Sequence, residues 1–464
     1  MMQSIIPELV VSGAAVFFFV ASLLGWKNLP TWAAGFGIAA LTGSLVALTA
    51  QHTFFHGALV VDAFSRFFSL LICAGFLLAL IIGGRLPQTD EDKIGEFYFF
   101  VAVATLGLLL VTGAAELLTL FIALEISSYP LFIVASYRKG LGFQFEAVAK
   151  YMVFGAVSTA FMLYGITYLY GSFGSTFLHD IMPAIGEHLH DPMAILGVIL
   201  FMAGLLYKLS AFPFHFWAPD VYAGAAAEVV AFIAALPKLA AVALLIRVVS
   251  LFMPMEGLGL AISILAILSM TMGNLLALAQ TELKRLLAYS AVSHAGYILL
   301  GLLAPDHGGL SAALYYGTVY TFMTLAAFLV AIQVAGDEHD ISLDRLDGLW
   351  CRSPALAVML VVTFVSLAGL PPTGGFTGKL LLISAAWKAG FFWPVLVAVL
   401  NTLVGIFYYL NIIRTALVNR NTQDVLNSPV HIRSLALGLA GLLLIFGLLP
   451  AGLLSLAETA VAGL

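Results

Sequence analysis

Long apolar runs, each about the length of a membrane-crossing helix, alternate along this 464-residue chain with short polar connections. About 20 mostly apolar residues span the hydrocarbon core of a bilayer. The pattern predicts about fourteen such segments, near residues 5–25, 31–50, 64–84, 96–113, 115–136, 147–171, 193–221, 225–252, 257–280, 283–304, 308–335, 353–389, 391–418 and 432–460. The connections reach about 20 residues at most, too short for a soluble catalytic domain. The first segment lacks a basic start and a small-residue cleavage site, so it reads as a mature span rather than a signal peptide. The expected fold class is an all-α polytopic membrane protein.

Two segments are too long for one regular helix, and both contain breakers. Residues 193–221 hold Pro213 and Pro219; residues 353–389 hold Gly369, Pro371, Pro372, Gly374, Gly375 and Gly378. Proline lacks an N–H and clashes with the preceding turn. At membrane depth, freed backbone groups persist only where protein or water satisfies them. Broken helices in matching places of two halves mark a transport pathway. Here the breaks fall in spans seven and twelve. They divide the chain into N-terminal helices 1–3 (residues 1–95), a five-helix repeat of helices 4–8 (96–252), a second of helices 9–13 (257–418) and a C-terminal helix 14 (432–464). An odd number of helices per repeat inverts the second copy. Spacing alone also fits two unrelated proline kinks.

Composition excludes several alternatives. The chain is 62% apolar and 9% charged, against about a quarter charged in an ordinary soluble domain. It is no soluble enzyme, disordered chain or secreted disulfide scaffold. Its net charge of −5, from 19 basic and 24 acidic residues, offers no basic patch to a nucleic acid. Cys73 and Cys351 are too few to ligate an iron–sulfur cluster or a structural zinc ion, and are expected as small buried hydrophobes. No nucleotide loop, nucleophile motif or metal-ligand cluster is present. Basic residues gather after odd-numbered spans: Lys27, Arg85, Lys93, Arg138, Lys139, Lys284, Arg285, Arg345, Arg352, Arg414, Arg420 and Arg433. Even-numbered connections hold little beyond Arg66 and Lys388. Basic connections stay in the cytoplasm, so both termini and the acidic connection Gly171–Asp191 are expected on the outer side.

Some ionisable residues fall inside apolar spans: Glu125 in span five, Lys208 in span seven, Lys238 in span eight and Lys379 in span twelve. His215 and His294 lie in or near spans. Each charge at mid-bilayer costs at least about 2.5–3.5 kcal/mol, on the order of 10 kcal/mol for three lysines and a glutamate. Lysine suits a proton relay, because burial favours its neutral form and a nearby carboxylate its charged form. A Glu–Lys pair is thus a switchable proton trap. The plainer alternatives are lysines that snorkel to an interface, a glutamate that holds a hydroxyl or backbone group, and histidines that line a hydrated cavity. Glu146 and Lys150 read as an interfacial pair.

Several motifs carry a resemblance. Tyr207-Lys208-Leu209-Ser210-Ala211-Phe212-Pro213-Phe214-His215-Phe216-Trp217-Ala218-Pro219-Asp220 resembles the broken-helix signature of the antiporter-like subunits of proton-pumping NADH–quinone oxidoreductase, respiratory complex I. So do Glu125 with Pro130, and Pro237-Lys238. Gln280–Tyr297 resembles the junction of spans nine and ten, and Leu370-Pro371-Pro372-Thr373-Gly374-Gly375-Phe376-Thr377-Gly378-Lys379 the second broken helix. The likeness covers roughly 60–460. Within the family the chain is most similar to subunit N, since it ends after one last span and carries lysine at position 379.

The resemblance implies a proton path along the membrane mid-plane: Glu125 beside Lys208, Lys238 as central relay, Lys379 at the outward end, and His294 bridging the halves. It implies that quinone reduction elsewhere drives the pump. Flavin, iron–sulfur clusters and quinone would be bound by other subunits, none by this chain. Partners would be the other membrane-arm subunits, sister antiporter-like subunits among them, in a bacterial cytoplasmic membrane. One stretch departs from the family. After Tyr222 the family usually has Gly-Ala-Pro and a second proline, whereas here the run is Ala223-Gly224-Ala225-Ala226-Ala227-Glu228. That leaves the electron donor open. The rival readings are a subunit of a multi-subunit cation/proton antiporter, a membrane-bound hydrogenase-type subunit, and a structural scaffold, which would leave the buried charges without a purpose.

Overall fold

Each long apolar run folds into helix, because backbone groups in lipid must find partners within their own segment. The computed structural model describes residues 2–26, 28–83, 93–137, 143–185, 191–252, 257–336, 341–418, 425–426 and 428–464. Lys27, Arg85, Arg138, Lys139 and Arg420, counted above for orientation, lie outside the described residues, as does part of the acidic connection Gly171–Asp191. In chain order the helices are α1 (Ile6–Leu23), α2 (Leu29–Val46), α3 (Ala63–Ile82), α4 (Ile94–Gly113), α5 (Leu117–Val134), α6 (Phe143–Phe173), α7 (Leu178–Ala184), α8 (Pro192–Leu209), α9 (Trp217–Gly224), α10 (Ala227–Phe252), α11 (Leu258–Leu278), α12 (Leu283–Leu302), α13 (Gly309–Ala335), α14 (Leu349–Arg352), α15 (Pro354–Ala368), α16 (Gly374–Lys388), α17 (Phe392–Leu417), α18 (Val430–Leu448) and α19 (Pro450–Ala462). Twelve helices among the described residues are long and apolar enough to cross a membrane.

The chain forms two compact units. The first comprises residues 1–210, 236–259 and 458–464, the second residues 211–235 and 260–457. In the first, α4 packs on α1 and α5, α2 on α3, and α6 on α8. In the second, α13 is buried along almost its whole length and packs on α12, α15 and α16, while α9 packs on α12.

Small residues let membrane helices approach closely, and one such contact recurs. A Cβ on Gly107 of α4 would lie 2.8 Å from the Ser127 Cα of α5; a Cβ on Gly273 of α11 would lie 2.9 Å from the Ser293 Cα of α12. Both contacts are shifted by 166 residues. The starts of α5 and α12 are also tied alike. Leu117 N–H donates to Thr176 O (2.8 Å) and Leu178 N–H to Ala115 O (3.0 Å); Leu283 N–H donates to Ile341 O (2.8 Å) and Leu343 N–H to Thr281 O (3.0 Å).

Both expected breaks are present, and they share a build. The first half-helix ends in a left-handed residue, Ser210 after α8 (φ 60°) and Gly369 after α15 (φ 80°). A cis peptide follows in each, Phe212–Pro213 and Pro371–Pro372. The second half-helix then begins at Trp217 or Gly374. Pro219, Gly374 and Gly375 therefore lie in the first turns of α9 and α16 rather than in the breaks. In a first turn the missing proline N–H costs nothing.

Three features depart from expectation. The last apolar run is two helices, α18 and α19, because the residue before a proline is pushed from the α region. Leu449, before Pro450, has φ −125° and ψ 59°. A two-stranded hairpin, His52–Phe54 with Leu59–Val61, stands between α2 and α3. Cys73 is buried as expected, but Cys351 is exposed on the short helix α14.

Candidate functional site: buried charges at the helix breaks

In the first unit, α5 brings Glu125 and Ser128 to one face, three residues apart. Glu125 accepts from the Thr159 hydroxyl of α6 at 2.9 Å. Lys208, in the last turn of α8, donates to the Ser128 hydroxyl. Glu125 stands one turn from Ser128, the partner of Lys208, but among the described residues no ion pair joins Glu125 to Lys208. The site is a lysine held by a hydroxyl, with a carboxylate within electrostatic reach. The position is apt: the last carbonyls of a helix have no partner within it, and its negative end favours a cation. Pro130 removes a further bond from α5 at Ile126 O. Lys238, directly after Pro237 in α10, is 2% exposed.

In the second unit, Lys379 projects from α16 back to the end of α15. Its ammonium donates to Leu367 O (3.0 Å) and Ala368 O (3.2 Å), the last carbonyls of that half-helix. It also stands 4.6 Å from the ring centre of Tyr297. Gly369 is needed here twice, for its positive φ and because a Cβ would lie 2.7 Å from Lys379 Cδ. His294 is 2% exposed and lies among tyrosines: its Nδ1 is 2.5 Å from the Tyr316 hydroxyl and its Nε2 3.1 Å from that of Tyr409. Tyr409 is in turn bonded to Ser290, and Tyr297 to Thr402 at 2.8 Å. His215 is stacked between Phe212 and Phe216. The first broken helix thus carries a lysine residue in the last turn of its first half, and the second has a lysine ammonium bonded to the last carbonyls of its first half.

Several buried charges escaped the reading of the sequence. Lys284, counted as a connection residue, is fully buried and donates to Ala223 O (2.8 Å) and Ala225 O (3.3 Å) at the end of α9. Arg66 pairs with Glu8 at 3.3 Å and is itself 2% exposed. Arg247 pairs with Asp62 at 2.8 Å and donates to Thr112 O. Glu8 and Arg247 sit in apolar runs, so the argument that singled out Glu125 would have found them too. Glu146 and Lys150 form the expected exposed pair, 2.8 Å apart. Among the described residues, no three His, Cys, Asp or Glu side chains gather as metal ligands.

Discontinuous helices inside a set of long apolar helices are the architecture of a polytopic membrane protein. Residues 114–405 match the family described as NADH:quinone oxidoreductase/Mrp antiporter, TM. The chain is 42% identical to NADH-quinone oxidoreductase subunit N 2 of Solidesulfovibrio magneticus, over 99% of both chains. It superposes on a chain of respiratory complex I from Thermus thermophilus with a TM-score of 0.85 at 33% identity, covering 97% of this chain and 98% of that one. A chain of the archaeal membrane-bound sulfane sulfur reductase shares the fold, with a TM-score of 0.91 at 22% identity, covering 100% and 98%. The chain belongs to the antiporter-like membrane subunits of NADH–quinone oxidoreductase, in the subunit N family.

Proposed function

We propose that this chain is the proton-translocating subunit N in the membrane arm of an NADH–quinone oxidoreductase, where it couples quinone reduction elsewhere in the complex to proton transfer across the membrane. The observation that carries the reading is the set of lysines inside apolar spans, Lys238 and Lys379 buried and Lys208 partly buried. Glu125 and Ser128 serve Lys208; Tyr297 and the end of α15 serve Lys379; His294 with its tyrosines supplies a protonatable bridge. Flavin, iron–sulfur clusters and quinone belong to other subunits.

The same reading counts fourteen spans, with α12 and the broken pair α15–α16 added to the twelve helices long and apolar enough to cross a membrane. It takes α4–α10 and α11–α17 as inverted repeats. The recurring Gly107 and Gly273 contacts and the matched ties before α5 and α12 support that pairing. It sets the chain in a bacterial inner membrane with both termini outward.

The test is to tag the chain at its native locus, solubilise the membrane gently and identify what co-purifies. Iron–sulfur and quinone-site subunits are expected, and the input module names the electron donor. Small antiporter-type membrane partners alone would overturn the reading in favour of cation/proton exchange.

A further inference from the structure

The break between α18 and α19 has no role in the path proposed above, yet its backbone is held by the second broken helix. Leu449 N–H still donates to Ile445 O (2.8 Å). In a continuous helix the next bond would run from residue 450 to Phe446 O, and Pro450 has no N–H to give. The Phe446 carbonyl accepts instead from the Tyr315 hydroxyl of α13, and the Gly447 carbonyl from the Thr377 hydroxyl of α16 at 3.3 Å. Carbonyls freed at such a break need partners inside the protein. Both donors stand beside groups of the candidate site. Tyr315 directly precedes Tyr316, whose hydroxyl meets His294 Nδ1. Thr377 stands two residues before Lys379, about 200° around the helix, so α16 turns one to α18 and the other to the last carbonyls of α15. The packing between these parts is tight. A Cβ on Gly447 would lie 2.6 Å from Thr373 Cα, one on Gly374 2.8 Å from Phe446 Cβ, and one on Gly378 2.5 Å from Tyr316 Cδ2.

We propose that the break at Pro450 is a seat for the second broken helix, and that Tyr315 and Thr377 are positioning residues for Lys379. The proposal rests on Lys379 as a station of the proton path. Neither hydroxyl passes a proton. Each fixes its own helix against the two freed carbonyls, and so sets where the neighbouring residue falls: Lys379 at the end of α15, Tyr316 at His294. Without the hydroxyls, Phe446 O and Gly447 O lose their donors, and α16 is no longer held at the depth where the Lys379 ammonium meets Leu367 O and Ala368 O.

The test uses the assembled complex in proteoliposomes and reads protons translocated per electron transferred. Tyr315→Phe and Thr377→Val each keep the shape of the side chain and remove its hydroxyl. Each is expected to lower the ratio by about fivefold, the scale of one lost hydrogen bond, with electron transfer retained. Thr377→Ser returns the hydroxyl and is expected to restore the ratio. A cryo-electron microscopy map of the Thr377→Val complex should show the Lys379 ammonium displaced from Leu367 O and Ala368 O, a change that a hydroxyl serving only to tie down the last helices would not produce. Normal ratios in both variants, or an unmoved Lys379 in that map, alongside loss of pumping in Lys379→Met, would overturn this inference alone. A normal ratio in Lys379→Met would overturn the underlying path.

Discussion

The two units solve one problem with different chemistry. In each, the first half of a broken helix ends in a left-handed residue, and a lysine stands in its last turn or is bonded to its last carbonyls. In the first unit the lysine belongs to that half-helix, and it donates to a side-chain hydroxyl, Ser128, one turn along α5 from the Glu125 carboxylate. In the second, Lys379 reaches back from the other half-helix to two backbone carbonyls and the face of Tyr297. At the shift of 166 residues that relates Ser127 to Ser293, Glu125 corresponds to Ala291 and Ser128 to His294. The first unit thus sets its lysine against a charge that can move or be neutralised. The second sets its lysine against fixed dipoles and surrounds its histidine with neutral hydroxyls. On this account the carboxylate makes Lys208 the switchable station, and Lys379 responds to the arrival of charge.

Variants can break or sharpen that contrast. Lys379→Met removes the cation of the second unit and leaves the Leu367 and Ala368 carbonyls without their donor. Proton translocation per electron should fall by at least about tenfold, as for a lost proton-transfer group, while the complex still assembles. Normal pumping would remove the second unit from the path. Glu125→Gln keeps a partner for Thr159 and removes only the charge. It should slow pumping by about fivefold, on the scale of one surface-to-interior charge contact. An unchanged rate would mean that both units work with fixed dipoles, and the contrast would be lost.

The smallest effect concerns the matched helix starts. Glu116 caps α5, accepting from the Thr119 amide (2.6 Å) and hydroxyl (2.7 Å). Burial pushes its carboxyl up, but the bonds from Thr119, Thr176 and Leu118 outweigh this and hold it below the usual carboxylate range. Glu282, at the start of α12, makes no such cap. A lowered native pKa contributes stability above the unfolded value, and that contribution is lost as pH falls through the native value. Glu116→Gln should therefore cost about 1 kcal/mol at neutral pH, with the difference from wild type fading in acid. Glu282 is paired instead with partly exposed Arg285 at 3.5 Å, so the loss in Glu282→Gln should be smaller and should shrink with added salt. Thermal melts of the complex across pH compare the two, and matching pH profiles would refute the distinction.

Much of this was legible in the chain because lipid imposes a harsh rule: spans must be apolar and helical, so exceptions stand out. Glu125, Lys208, Lys238 and Lys379 were visible as charges in apolar runs, and Pro213, Pro371 and Pro372 as breakers. Partners were not visible. Nothing near Lys208 in sequence points to Ser128, and nothing near Lys379 points to the Tyr297 ring, because these contacts join helices far apart in the chain. Lys284 was misread for a related reason. It stands where a basic connection residue belongs, and only the fold shows that the end of α9 closes over it. The break at Pro450 was missed because hydropathy stays high across it, although the proline itself was there to be weighed.

The most direct test of the central claim is the proton-to-electron ratio of the purified, reconstituted complex carrying Lys208→Ala. Electron transfer with collapsed proton translocation is the predicted result. A wild-type ratio in a fully assembled complex would contradict it, and Lys208 would then have to be a structural link from α8 to Ser128 of α5.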